Sequence, residues 1–139
     1  MAGINEREEI EGALRSAKTI AVVGCSPNPA RPSNSIARFL IRRGFEVVPV
    51  NPGHREILGK TCYPSLDEIP AGVSIDVVDV FRRSDRVAPI ADSALRRGGV
   101  KLFFMQDGVV DEDSARRLAD AGIPVAMDTC IYRELSELG

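Results

Sequence analysis

The sequence predicts an α/β protein: a parallel sheet covered by helices on both faces. Three observations carry this. Short apolar runs rich in β-branched residues recur along the chain, segments with helical spacing separate them, and those segments end in Gly-containing punctuation. That alternation marks repeated βαβ units, which right-handed crossovers wind into a Rossmann-like, doubly wound five-stranded parallel sheet. The expected strand order is 3-2-1-4-5, with all 139 residues in one domain.

An amphipathic helix opens the chain, with Ile10 and Leu14 at i and i+4. The first strand is "KTIAVVG" (18–24), followed by the helix "SNSIARFLIRRG" (33–44) and a second strand "EVVPV" (46–50). Residues 51–72 form the longest irregular stretch. Their own apolar residues, Ile57, Leu58, Leu66 and Ile69, predict a packed cap with a short helix rather than a floppy loop. "IDVVDV" (75–80) is the third strand and "SDRVAPIADSALRRGG" (84–99) the next helix, N-capped by Ser84, with Pro89 starting it late or bending it. The fourth strand "KLFFM" (101–105) leads to a helix "DEDSARRLADAG" (111–122) capped by Asp111, the fifth strand "PVAM" (124–127), and a last helix after Cys130. Each strand is short and mostly apolar, as strands covered on both faces should be.

Composition narrows the function. Twenty acidic and eighteen basic residues leave a net charge of -2, so no global basic field exists to draw in nucleic acid. The N-terminus is acidic where a secretory signal is basic and then apolar, and no apolar run approaches the roughly 20 residues of a membrane helix. A cytoplasmic protein with no membrane partner is expected. Cys25, Cys62 and Cys130 are odd in number and far apart, which predicts reduced thiols and no metal site.

In such a sheet, ligands bind outside the carboxyl ends of the strands where the order reverses, expected here between the first and fourth strands. Five strand ends meet there: Gly24-Cys25-Ser26, Asn51-Pro52-Gly53-His54, Phe81-Arg82-Arg83, Gln106-Asp107-Gly108 and Asp128-Thr129-Cys130. The first loop lacks the dinucleotide fingerprint, because Ser26 and Pro29 replace its later glycines. After the second strand, Asn51 and Pro52 stand where an acid would hold the ribose of NAD. An NAD(P)-type oxidoreductase is thereby the alternative rather than the leading reading. A phosphate ligand still suits the loop: the helix starting near Ser33 aims its amides at the crevice, Arg31 adds charge, and Pro29 and Pro32 hold the turn open.

Taken together, Gly24-x-Ser26 with Arg31-Pro32-Ser33, Val50-Asn51-Pro52, Gly59 with Tyr63-Pro64-Ser65-Leu66, Val80-Phe81-Arg82, Gln106-x-Gly108 and Asp128-x-Cys130 resemble the small stand-alone CoA-binding proteins. Their fold is similar to the CoA-binding domain of the succinyl-CoA synthetase α subunit. The resemblance covers roughly residues 17 to 130. It implies coenzyme A as the ligand, with Gly24, Cys25, Ser26, Arg31, Pro32 and Ser33 at the phosphates and Val50, Asn51 and Pro52 along the nucleotide. It further implies Val80 and Phe81 as an apolar wall for adenine, Arg82 stacked or paired with phosphate, and Gln106 where the pantetheine arm leaves. His54, the only histidine, is either a further phosphate contact or a solvated residue on the turn after the second strand.

No nucleophile stands beside an activating base, so no catalytic residue is assigned. The expected function is a non-catalytic holder of CoA or acyl-CoA, with a homodimer or a partner enzyme subunit as the open arrangements. Cys130 at the fifth strand's end, or Cys25, would instead exchange disulfides with CoA in a redox protein. Asp107 and Asp128 are read as turn-forming residues.

Overall fold

The chain runs α1 (Arg7–Ser16), β1 (Thr19–Val23), α2 (Pro32–Arg42), β2 (Glu46–Val50), a hairpin of β3 (Glu56–Ile57) and β4 (Lys60–Thr61), and a 3-10 turn at Leu66–Glu68. It continues through β5 (Val77–Val80), a second 3-10 turn at Ser84–Arg86, α3 (Val87–Arg97), β6 (Leu102–Met105), α4 (Glu112–Asp120), β7 (Val125–Met127) and α5 (Ile131–Glu137). These elements come from a computed structural model that describes residues 1–138.

The five long strands are all parallel and lie in the order β2-β1-β5-β6-β7. Counted within that sheet alone the order is 2-1-3-4-5, which corrects the expected 3-2-1-4-5. The physical reason is in the strands themselves. Pro49 in β2 has no N–H to give a further strand, and its carbonyl points outward to accept from Tyr63 N at 3.1 Å. β2 is therefore an edge. β5 has all four residues buried, which suits the sheet centre, and it pairs β1 on the side away from β2. The point of reversal accordingly lies between β1 and β5, not between the first and fourth strands.

Two cores sandwich the sheet. On one face Ile10 and Leu14 of α1, Leu40 of α2 and Ile131 and Leu135 of α5 pack on Ile20, Val22 and Phe104. On the other, Val87 and Ala91 of α3, Leu118 of α4 and Leu66 and Ile69 of the cap pack on Val78, Val80 and Phe103. The second edge, β7, is covered by residues 2–5: Asn5 N donates to Val125 O at 2.7 Å and Val125 N to Gly3 O at 3.1 Å. The Asn5 side chain extends that pairing, accepting from Met127 N at 2.7 Å and donating to Met127 O at 3.2 Å. A free strand edge is thus avoided at both ends.

The cap has its short helix, reduced to the 3-10 turn, and adds a hairpin whose two-residue turn places Leu58 and Gly59 at φ of 56° and 71°. Two successive positive φ values are the requirement of a type I′ turn. Arg97 of α3 ties down the cap's far end, donating to the carbonyls of Ile69 at 2.9 Å, Pro70 at 2.7 Å and Val73 at 2.6 Å. Pro89 sits third in α3, where its missing N–H interrupts nothing, and the helix starts late, after the 3-10 turn. Ser84 does not cap it; its Oγ accepts from Val110 N at 2.9 Å and so ties two crevice loops together. Asp111 does occupy the N-cap position of α4, where it accepts from the Ser114 hydroxyl at 2.7 Å.

Candidate functional site

The site is built outward from Gly24, where β1 ends at a φ of 87°. The amides of Gly24 and Cys25 both donate to Val50 O, at 2.9 and 3.3 Å, so the first loop leans on the end of β2. Asn51 fixes that junction from the other side. Its Nδ2 donates to Cys25 O at 2.8 Å and its Oδ1 accepts from Gly53 N at 2.9 Å. Both polar ends of Asn51 are consequently used in bracing the two loops.

The proline loop is held in shape by its own side chains. Ser33 Oγ accepts from Ser26 N at 3.0 Å, Ser26 Oγ from Asn28 N at 3.1 Å, and Asn28 Oδ1 from Ala30 N at 2.9 Å. Each serine hydroxyl keeps its own proton to donate. Buried Asn34 donates to Ser26 O at 2.8 Å and accepts from Arg38 Nε at 2.9 Å, while Arg38 Nη2 reaches Pro29 O at 3.2 Å. Arg31 is exposed at the N-cap of α2, and Pro32 takes the first helical position, where no N–H is required.

Two clefts open at the strand ends and share Arg82. One, of about 240 Å³, faces α3 and the cap and is lined by Gly24, Val50, Pro52, Leu66, Arg86 and Ile90 among others. The second, of about 510 Å³, faces the start of α2 and is lined by Pro32, Ile36, Phe81, Gln106 and Cys130 among others. Gln106 is nearly buried, and its Oε1 accepts from Ile131 N at 3.1 Å, leaving its NH2 group without a partner among the described residues. Asp107 is gripped by both Arg133 nitrogens, at 2.8 and 2.6 Å, and that guanidinium holds its carboxyl below the usual range. Asp128, at a φ of 58°, accepts from Gly108 N at 2.7 Å. Both acids form turns at the cleft rim.

Of the residues expected at the ligand, Gly24, Val50, Pro52 and Arg82 line the first cleft, and Pro32, Phe81, Arg82 and Gln106 line the second. Seven expected residues line neither cleft: Ser26, Arg31 and Ser33 belong to the proline loop, Asn51 braces it, and Cys25, His54 and Val80 are placed elsewhere. Val80 is fully buried beneath the clefts, so the apolar walls come from Val23, Val50, Leu66 and Ile90 instead. The Cys25 side chain turns into the core with α1, α2 and α5, where burial, and to a lesser degree Cys62 and Asp79, push its thiol up to about 11. His54 is exposed on the turn after β2 and lines neither cleft. The structure also adds Arg86, Asn34 and Arg38. Arg86 lies four residues beyond Arg82 in a stretch that reads only as a helix start, and Asn34 and Arg38 stand at i and i+4 of the helix after the first loop.

Residues 18–136 match the family model for the CoA binding domain. The chain belongs to the CoA-binding domain family. Its family relatives include the uncharacterized protein YneT of Bacillus subtilis, 38% identical over 125 residues and covering 90% of each chain. The structure is similar to that of a hypothetical protein from Pyrococcus horikoshii, with a TM-score of 0.89 at 33% identity, covering 96% of this chain and 93% of that one. It is also similar to the dinucleotide-forming acetyl-coenzyme A synthetase 1 of Ca. Korarchaeum cryptofilum, at a TM-score of 0.66 and 29% identity. That match covers 78% of this chain but only 25% of the synthetase. Family membership fits the two clefts, each an apolar slot bordered by Arg82, which has no ion-pair partner among the described residues. Among the described residues no helix is long and apolar enough to cross a membrane.

Proposed function

We propose that this protein binds coenzyme A, free or acylated, across the carboxyl ends of β1, β2 and β5, and performs no chemistry on it alone. The observation that carries the reading is the junction at Gly24. A serine-lined loop with Arg31 lies on one side, an apolar cleft walled by Val50, Leu66 and Ile90 on the other, and Arg82 borders both clefts.

In this reading the diphosphate meets the hydroxyls of Ser26 and Ser33 and the charge of Arg31. Adenine enters the cleft against α3 and the cap, and the pantetheine arm runs past Phe81 to the free NH2 of Gln106. A nicotinamide dinucleotide suits the site less well, since Asn51 has no carboxylate to offer ribose and both its polar ends are engaged. Any acyl transfer falls to a partner subunit. Mass spectrometry of the natively purified protein tests this directly: a retained CoA or acyl-CoA is expected, whereas retained nicotinamide dinucleotide would overturn it.

A second reading rests on Cys130, which lines the α2-side cleft beside Gln106. Its thiolate would attack CoA disulfide, forming a Cys130–CoA disulfide and releasing one CoA thiolate. Cys25, buried and hard to ionise, is a poor candidate for the same step. A gain of one CoA in mass, lost in Cys130→Ser and kept in Cys25→Ser, supports this reading; an unmodified wild-type protein removes it.

A further inference from the structure

We infer that Arg86, with Arg82 beside it, reads the 3′-phosphate of CoA and so sets selectivity against otherwise identical ligands that lack it. The inference rests on the reading that the adenylate end of CoA occupies the cleft against α3.

The cations on this side of the molecule sort into two kinds. Arg83 is paired with Asp85 at 3.3 Å and Arg96 with Asp67 at 2.7 Å. Arg97 spends its donors on the carbonyls of the cap. Arg82 and Arg86 are different: both line the cleft, and among the described residues neither has a carboxylate within ion-pair distance. The cleft's hydroxyls do not serve them either, since Ser65 donates to Glu68 at 3.1 Å and Ser93 accepts from Arg96 at 3.1 Å. The remaining wall is largely apolar, from Val50, Leu66 and Ile90.

Two guanidinium groups at the rim of an apolar cleft, with no protein anion to neutralise them, are built to receive an anion, and arginine's planar fork suits phosphate oxygens in particular. The diphosphate has its own station at Ser26, Arg31 and Ser33, on the α2 side of the sheet. A second cationic station on the α3 side therefore answers to a second phosphate, separated from the first by the ribose. Coenzyme A carries such a monoester on its ribose; dephospho-CoA and NAD carry none.

The test is calorimetric titration of CoA and dephospho-CoA into the wild type, Arg86→Ala, Arg86→Lys and Arg31→Ala, with thermal melts to verify folding. The wild type is expected to prefer CoA by roughly 10- to 100-fold, the worth of one charged hydrogen bond. In Arg86→Ala that preference should fall to a few-fold because CoA binding weakens while dephospho-CoA binding holds. Arg86→Lys should restore part of it, and Arg31→Ala should weaken both ligands alike. A folded Arg86→Ala protein that binds CoA with the wild-type preference, or that loses both ligands equally, overturns the role of Arg86 and leaves the CoA reading standing. A wild type that binds neither ligand overturns both.

Discussion

A β-carbon placed on Gly24 would lie 2.7 Å from the carbonyl oxygen of Phe81 and 2.9 Å from Cδ of Arg82. The end of β5 is thus pressed against the turn after β1, and the aliphatic stem of Arg82 crosses the space a side chain would fill. The same glycine needs a φ of 87°, which other residues adopt at a cost. Gly24→Ala is therefore expected to destabilise the fold by roughly 1–3 kcal/mol from backbone conformation alone. It should also displace Arg82 and weaken CoA binding. Urea denaturation and a ligand titration measure the two effects; wild-type values in both would mean that the close approach is not needed.

Arg97 predicts how the cap depends on α3. Its guanidinium reaches three carbonyls of the cap, of which Pro70 O also accepts from Val73 N at 3.0 Å. Arg97→Met keeps much of the apolar stem but removes the charged hydrogen bonds, at a cost of about 1.5–3 kcal/mol. Limited proteolysis should then cut within residues 66–73 faster than in the wild type. Unchanged protection there would show that Leu66 and Ile69 hold the cap unaided.

Asp79 predicts a pH dependence. It is fully buried in β5, neither carboxyl oxygen has a hydrogen-bond partner among the described residues, and burial raises its pKa well above the ordinary value. The folded protein therefore keeps this proton while the unfolded chain releases it near pH 4. With more protons bound in the folded state, stability falls as pH rises from the unfolded pKa towards the folded one, by up to about 1.4 kcal/mol per pH unit. Asp79→Asn cannot ionise, so its stability relative to wild type should rise between pH 5 and 7. Parallel pH profiles for the two proteins would mean that Asp79 is already ionised in the folded state.

The alternation of apolar strands and helices made the layers legible in sequence, because periodicity reports burial on one or both faces. Strand order was less so. The signal was present in Pro49, which confines β2 to an edge, but it acts through one missing N–H rather than through a pattern. The hairpin in the cap was hidden because its turn carries Leu58 where an asparagine or aspartate would normally announce positive φ. At the site, motif positions located the crevice but not the direction of each side chain: Val80 follows the strand alternation into one core, Cys25 breaks it after the positive φ of Gly24 and packs on the other face, and Arg86 and Asn34 enter only through tertiary packing.

The central claim is that the crevice around Gly24 recognises coenzyme A as such. Calorimetric titration of the wild-type protein with CoA, ATP and NADH tests it most directly. Binding of CoA well above ATP and NADH is the predicted result; NADH binding as tightly as CoA, or more tightly, would contradict it.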